Sequence, residues 1–209
     1  MCKNLISAIQ KMLNNNCFKN FKHEEPATNI IAAYLNKESG DDEIILTECP
    51  MGLLLKDENQ KGEVDLACWD ISDLANPVKW VAEAKASPYG AASANETEYS
   101  LQDCFDRFFG SVKKILKKKD NIASDANKLG ELRKKKIKCY YIMYIKRKAG
   151  KTKNGGGGGK ITINDWNITS PQKFGLLKLE LIQIVRAREG AQNEFQGALL
   201  WEVKGVKKE

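Results

Sequence analysis

The 209 residues are 42% hydrophobic and 29% charged, enough to build a sizeable core in one elaborated domain spanning 1–209, which excludes disorder along the whole chain. No run of about 18 consecutive apolar residues occurs, and Met1-Cys2-Lys3-Asn4 lacks the basic, apolar and small-residue order of a signal peptide, so a soluble cytoplasmic protein with no membrane partner is expected. The net charge of +7 divides into −8 over residues 1–110 and +15 over residues 111–209, a polarity that suits a polyanion gripped by one region and acted on by another.

In chain order, Leu5, Ile6, Ile9, Met12 and Leu13 recur at helical spacing, and Asn14-Asn15-Asn16 ends that pattern. A second helix begins near Glu25-Pro26, with proline tolerated in the first turn, and buries Ala27, Ile30, Ile31, Tyr34 and Leu35. Strands are predicted over 43–51, 62–69 and 78–86, separated by polar turn-like stretches at 56–61 and 70–77, which makes an antiparallel meander the economical arrangement. A long helix over 99–119 is apolar at Leu101, Phe105, Phe108, Phe109, Val112, Ile115 and Leu116. A shorter helix over 124–135 leads into a strand over 137–145, rich in tyrosine and isoleucine.

Residues 146–160 break the pattern with five consecutive glycines at 155–159. They do not form a phosphate-binding loop, because Asn154 stands where its first glycine belongs and Ile161 where its Ser or Thr belongs. A flexible basic loop is the expectation. Strands near 160–166, 176–187 and 198–203 then suggest an added sheet or hairpin, a β-rich elaboration over 146–209 following a core over 21–145. The six cysteines contain no CxxC pair, and Cys68 and Cys139 fall within apolar runs, so reduced core thiols are expected rather than disulfides or zinc ligands.

Strand alternation sets Glu63, Asp65, Ala67 and Trp69 on one face of the second strand, and Lys79, Val81, Glu83 and Lys85 on one face of the third. A turn centred near Leu74 then brings Asp65 opposite Glu83 and Glu63 opposite Lys85. Directly opposed side chains stand roughly 5 Å apart. Two carboxylates that close need a shared proton or a cation, and Lys85 or a divalent metal can supply the charge. The plain structural reading is an ordinary salt bridge of Glu83 with Lys85 or Lys79.

Gly62-Glu63-Val64-Asp65 and Glu83-Ala84-Lys85, in register with a helix, three-stranded meander, helix and strand, resemble the PD-(D/E)xK nuclease superfamily. The resemblance implies a restriction-endonuclease-like three-layer α/β sandwich, a mixed sheet with an αβββαβ core. It implies Asp65 and Glu83 as catalytic metal ligands with the Ala84 carbonyl, Lys85 as the catalytic lysine, and Glu24 (or Glu25) from the first core helix completing the site. Val64 stands where such motifs often carry proline. A second Glu-x-Lys, Glu202-Val203-Lys204, has too little chain after it for the helix and strand that should follow.

Those residue types suit phosphodiester hydrolysis, which needs an activated water and neutralisation of transition-state charge. Carboxylate oxygens hold Mg²⁺, with Mn²⁺ as a substitute, and the ion lowers the pKa of its water while Lys85 orients water or phosphate. His23 reads as a surface or helix-start residue rather than a general base. Similar helices in the superfamily place a polar side chain against DNA, which brings in Gln102 and Arg107. Lys113, Lys114 and Lys117, with Lys134, Lys148 and Lys151, supply phosphate contacts. Asn164, Asp165, Trp166 and Asn167 are candidates for base readout. The expectation is a Mg²⁺-dependent endonuclease on duplex DNA, most like a Type II restriction endonuclease acting as a homodimer. The alternatives are a non-catalytic basic nucleic-acid-binding module, or a repair, phage-defence or RNA-directed nuclease with the same core.

Overall fold

In a computed structural model, the described residues are 2–15, 25–86, 98–99, 121–146, 162–163, 172–174, 177–191 and 195–206. Helices α1 (Cys2–Asn14) and α2 (Glu25–Glu38) precede strand β1 (Glu43–Pro50), the short helix α3 (Met51–Leu55), and strands β2 (Glu63–Asp70) and β3 (Val78–Ala86). Then come β4 (Glu98–Tyr99), helix α4 (Asn121–Lys134), β5 (Lys138–Lys146), β6 (Thr162–Ile163), β7 (Gln172–Phe174), β8 (Leu177–Arg186) and β9 (Phe195–Val206). Tyr99, read from sequence as a helix start, is instead a strand residue paired in parallel with Ile163. The rest of that long helix lies outside the described residues.

Seven strands form one mixed sheet in the order β1-β2-β3-β5-β9-β8-β7. The meander β1–β2–β3 is antiparallel, β3 and β5 run parallel, and β9 returns antiparallel to β5. In the last third of the chain the β8–β9 hairpin, with β7 at its edge, extends the sheet begun by the meander, while β6 pairs with β4 in a separate two-stranded sheet. Glu202 and Lys204 of the second Glu-x-Lys sit there as a surface pair 2.8 Å apart, with Glu180 at 3.7 Å from the same lysine.

Each face of the sheet carries an apolar layer. On one, α1 and α2 bury Leu5, Ile9, Leu13, Ile31 and Leu35 against Leu66, Ala82, Tyr140 and Leu200. On the other, α3 and α4 bury Met51, Leu54, Leu129 and Leu132 against Ala67, Val81, Tyr141 and Trp201. A central strand covered on both sides is apolar throughout, which explains the unbroken run in β5. Buried Cys49, Cys68 and Cys139 are free thiols. Burial is the main cause that pushes Cys68 up to about 11 and Cys139 up to about 12, so both stay protonated at neutral pH.

At the turn end of the meander, Lys79 reaches Glu43 at 2.7 Å and Asp70 at 2.8 Å. The β2–β3 register slips between Cys68 and Trp69, a bulge that leaves Lys79 between the paired residues Val78 and Trp80. The Lys79 hydrogen bond, then that of the Ser72 hydroxyl, holds the Asp70 carboxyl well below the usual carboxylate range. A lowered folded-state pKa stabilises the fold above the ordinary value of about 3.9 and loses that stabilisation as pH falls toward the folded value. Asp70→Asn should therefore be less stable than wild type at pH 7, with the difference closing below about pH 4. Urea melts across pH check this; a gap that stays constant contradicts it.

Candidate active site

The opposite end of the meander carries Asp65 and Glu83. The β2–β3 ladder runs through Cys68↔Trp80, Ala67↔Val81 and Leu66↔Ala82, and the same register carried one step further sets Asp65 level with Glu83. The regular pairing stops at that point. The Ala84 amide, which would have continued the ladder, donates to Asp65 Oδ2 at 2.6 Å. A strand residue directs its amide and carbonyl to one neighbour, so the Ala84 carbonyl shares this edge.

The partner strand deforms at the same level. Glu48 on β1, flanked by the pairs Thr47↔Leu66 and Cys49↔Val64, stands opposite Asp65 and adopts a left-handed backbone with φ 50°. Ile45 packs in the α1/α2 layer, whereas Cys49 and Val64 beyond the distortion pack in the α3/α4 layer. The two strands thus rotate together about the Glu48–Asp65 position. A non-glycine residue in this conformation costs about 1–2 kcal/mol, and such strain concentrates at functional sites.

Glu83 shares its face with Val81, on the α4 side, and is 0% exposed. A buried carboxylate needs a compensating charge. Lys128 of α4 brings one: its Nζ lies 2.5 Å from Glu83 Oε1 and donates to the Glu63 carbonyl at 2.6 Å. The helix does not depend on this pair, since buried Leu129 and Leu132 contribute about 1.5–3 kcal/mol each. Apolar burial fixes α4, and Lys128 is carried onto the carboxylate. Lys79 is occupied at the other end of the strands, which removes it as a partner of Glu83. Lys85 is half-buried two residues beyond Glu83, level with Met143 of β5.

Asp65, Glu83, Ala84 and Lys85 are therefore brought to one forked edge, and Lys128 joins them from across the sequence. No group of three His, Cys, Asp or Glu that could hold a metal is found among the described residues. Glu24, His23, Gln102, Arg107, Lys113, Lys114, Lys117, Lys148, Lys151, the glycine run and Asn164, Asp165, Trp166 and Asn167 lie outside them. Glu25 is exposed at the start of α2, whose buried residues pack on the sheet face opposite to Glu83. Lys134, at the end of α4, is exposed and pairs with Glu131 at 2.7 Å.

Sequence reasoning missed Lys128. Its signal was a lysine directly before buried Leu129 and four residues before Leu132, at the margin of the apolar stripe of a short helix. No protein-family model, no curated protein and no solved structure matches the chain.

Proposed function

We propose that the protein is a metal-dependent phosphodiesterase of the restriction-endonuclease-like type, cleaving DNA at the Asp65–Glu83 edge. The observation that carries this reading is the fork itself: two acids level with one another where the ladder ends, one turned onto a backbone amide and the other fully buried. The order α2, β1, β2, β3, α4, β5, interrupted only by the short elements α3 and β4 among the described residues and with β3 and β5 parallel, supports the likeness to an αβββαβ core. The basic balance of residues 111–209 supports a polyanionic substrate.

The donor set fits Mg²⁺. The Asp65 and Glu83 carboxylates and the Ala84 carbonyl are hard oxygens, and Glu83 already draws a cation, the Lys128 ammonium, to 2.5 Å. A bound ion supplies acidification of water and neutralisation of charge on the transferring phosphoryl group. Asp65 is oriented for its part by the Ala84 amide. Lys85 positions the phosphate or the attacking water, and Lys128 offers the buried Glu83 an opposite charge. In a Type II restriction enzyme, two copies of the chain would present two such edges to the two strands.

The Lys128–Glu83 pair favours a second reading, in which the charges balance each other and the protein is a non-catalytic nucleic-acid-binding scaffold. Incubation of purified protein with plasmid DNA and with RNA, in Mg²⁺ and in EDTA, separates the two. Cleavage of DNA that requires Mg²⁺ and falls sharply in Lys85→Ala supports the nuclease. Discrete fragments support restriction, and degradation of RNA alone moves the substrate. Binding without cleavage across varied sequences leaves the scaffold.

A further inference from the structure

The α3/α4 face holds a second feature, at the turn end of the same strands. A cavity of about 650 Å³ opens between α3, the β2–β3 turn and the end of α4. Its wall is apolar, with Leu53, Trp69 and Ile137 prominent, and Lys56, Lys135 and Lys136 border it. Leu53 is 53% exposed, so the apolar wall reaches the surface. The volume falls within the roughly 300–1,000 Å³ of small-ligand pockets and is too small for a folded partner. Among the described residues none of the three lysines forms a salt bridge, although Asp57 feels the charge of Lys135. Apolar walls with an aromatic ring select a flat uncharged body, and three ammonium groups select an attached anion. A nucleotide unites both, since bases stack on aromatic side chains and phosphates pair with lysine.

We propose that this cavity receives an unpaired nucleotide of the substrate strand, its base against Trp69 and Leu53 and its phosphate at Lys56, Lys135 and Lys136. The assignment to a strand rests on the nuclease reading above. Lys135, the residue after α4, lies seven residues from Lys128, about 10 Å at helix rise, and Trp69 lies four residues along β2 from Asp65, about 13 Å away at strand rise. That distance is about four stacked nucleotides. One strand can therefore run along α4 with a phosphate at the forked edge and a base in the cavity.

Lys56 and Lys136 provide a test with its own folding control. Both have left-handed backbones, φ 55° and 64°, which glycine adopts without strain. Lys56→Gly and Lys136→Gly thus remove charge without disturbing the fold. The full chain is titrated in EDTA with an oligothymidylate and with thymidine 5′-monophosphate, followed by tryptophan fluorescence, with Trp69→Phe assigning the signal. Saturable quenching by the oligomer is expected, with affinity reduced about tenfold or more in the double glycine variant and a melting temperature no lower than wild type. The proposal is overturned if the double variant binds as wild type does, if the oligomer leaves Trp69 unquenched, or if the mononucleotide binds as tightly as the oligomer. Asp65→Ala should still bind the oligomer here. Wild-type cleavage with lysine-independent binding defeats the cavity and spares the nuclease; no cleavage with lysine-dependent binding does the reverse.

Discussion

If the protein is the nuclease proposed, Asp65→Ala should lower Mg²⁺-dependent DNA cleavage by about a thousandfold or more, the scale on which removal of a preorganised charge at a reacting centre is felt. Two losses contribute: a carboxylate oxygen for the cation, and the acceptor for the Ala84 amide at 2.6 Å. Asp65→Asn separates them, because a carboxamide oxygen still accepts from that amide while carrying no charge. The asparagine variant should melt close to wild type and remain as inactive as the alanine variant. The alanine variant should lose about 1–3 kcal/mol for the amide left without its acceptor. Cleavage rates and thermal melts of the same preparations decide the matter. Full cleavage by Asp65→Asn would remove the carboxylate from the chemistry and leave it a structural role as a cap on a forked ladder.

Lys128→Met should be the most destabilising change on the α4 face. Methionine fills a similar volume and keeps helical propensity, so the principal loss is the ammonium beside a fully buried Glu83. Breaking a buried ion pair from one side costs about 3–5 kcal/mol. Glu83→Gln should cost less, because Lys128 is only mostly buried and its ammonium can reach solvent. Combined, the two substitutions should fall well short of the sum of the singles, since neither charge is then left behind. Denaturant melts of the four proteins form the cycle. In the Lys128→Met protein, Glu83 should also take up a proton more readily, making stability improve as pH is lowered toward 5. An additive cycle with no pH response would mean that the pair contributes little.

The meander was legible because its apolar runs are bounded by polar turns, and the turn near Leu74 fixed a register that the paired residues Leu66 and Ala82 share. From that register alone, Asp65 and Glu83 could be brought level. The bulge beside Trp69 was not legible, since nothing in the local sequence marks which strand carries the extra residue. Helix α3 escaped notice because Met51-Gly52-Leu53-Leu54-Leu55 is an apolar run too short for periodicity to distinguish helix from strand. Tyr99 follows a polar stretch and precedes an amphipathic pattern, so its strand pairing with Ile163, distant in sequence, left no local trace. The same holds for Lys128: an ion pair across layers depends on how a helix lies on a sheet, which spacing along the chain does not encode. The forked edge combines both cases, two acids readable from strand register and one lysine readable only from packing.

The place of β9 bears on how the chain reaches its folded state. β9 lies between β5 and β8, so residues from Phe195 onward complete a sheet begun at Glu43. Until it docks, β5 is an edge strand with Tyr140, Tyr141, Ile142, Met143, Tyr144 and Ile145, all buried in the finished fold, facing no partner along one side. Such an edge invites pairing with another chain, and contacts closed over so long a loop form slowly. The chain therefore carries an aggregation-prone edge during synthesis, in the interval between emergence of β5 and arrival of β9, and a shorter interval should raise the soluble yield.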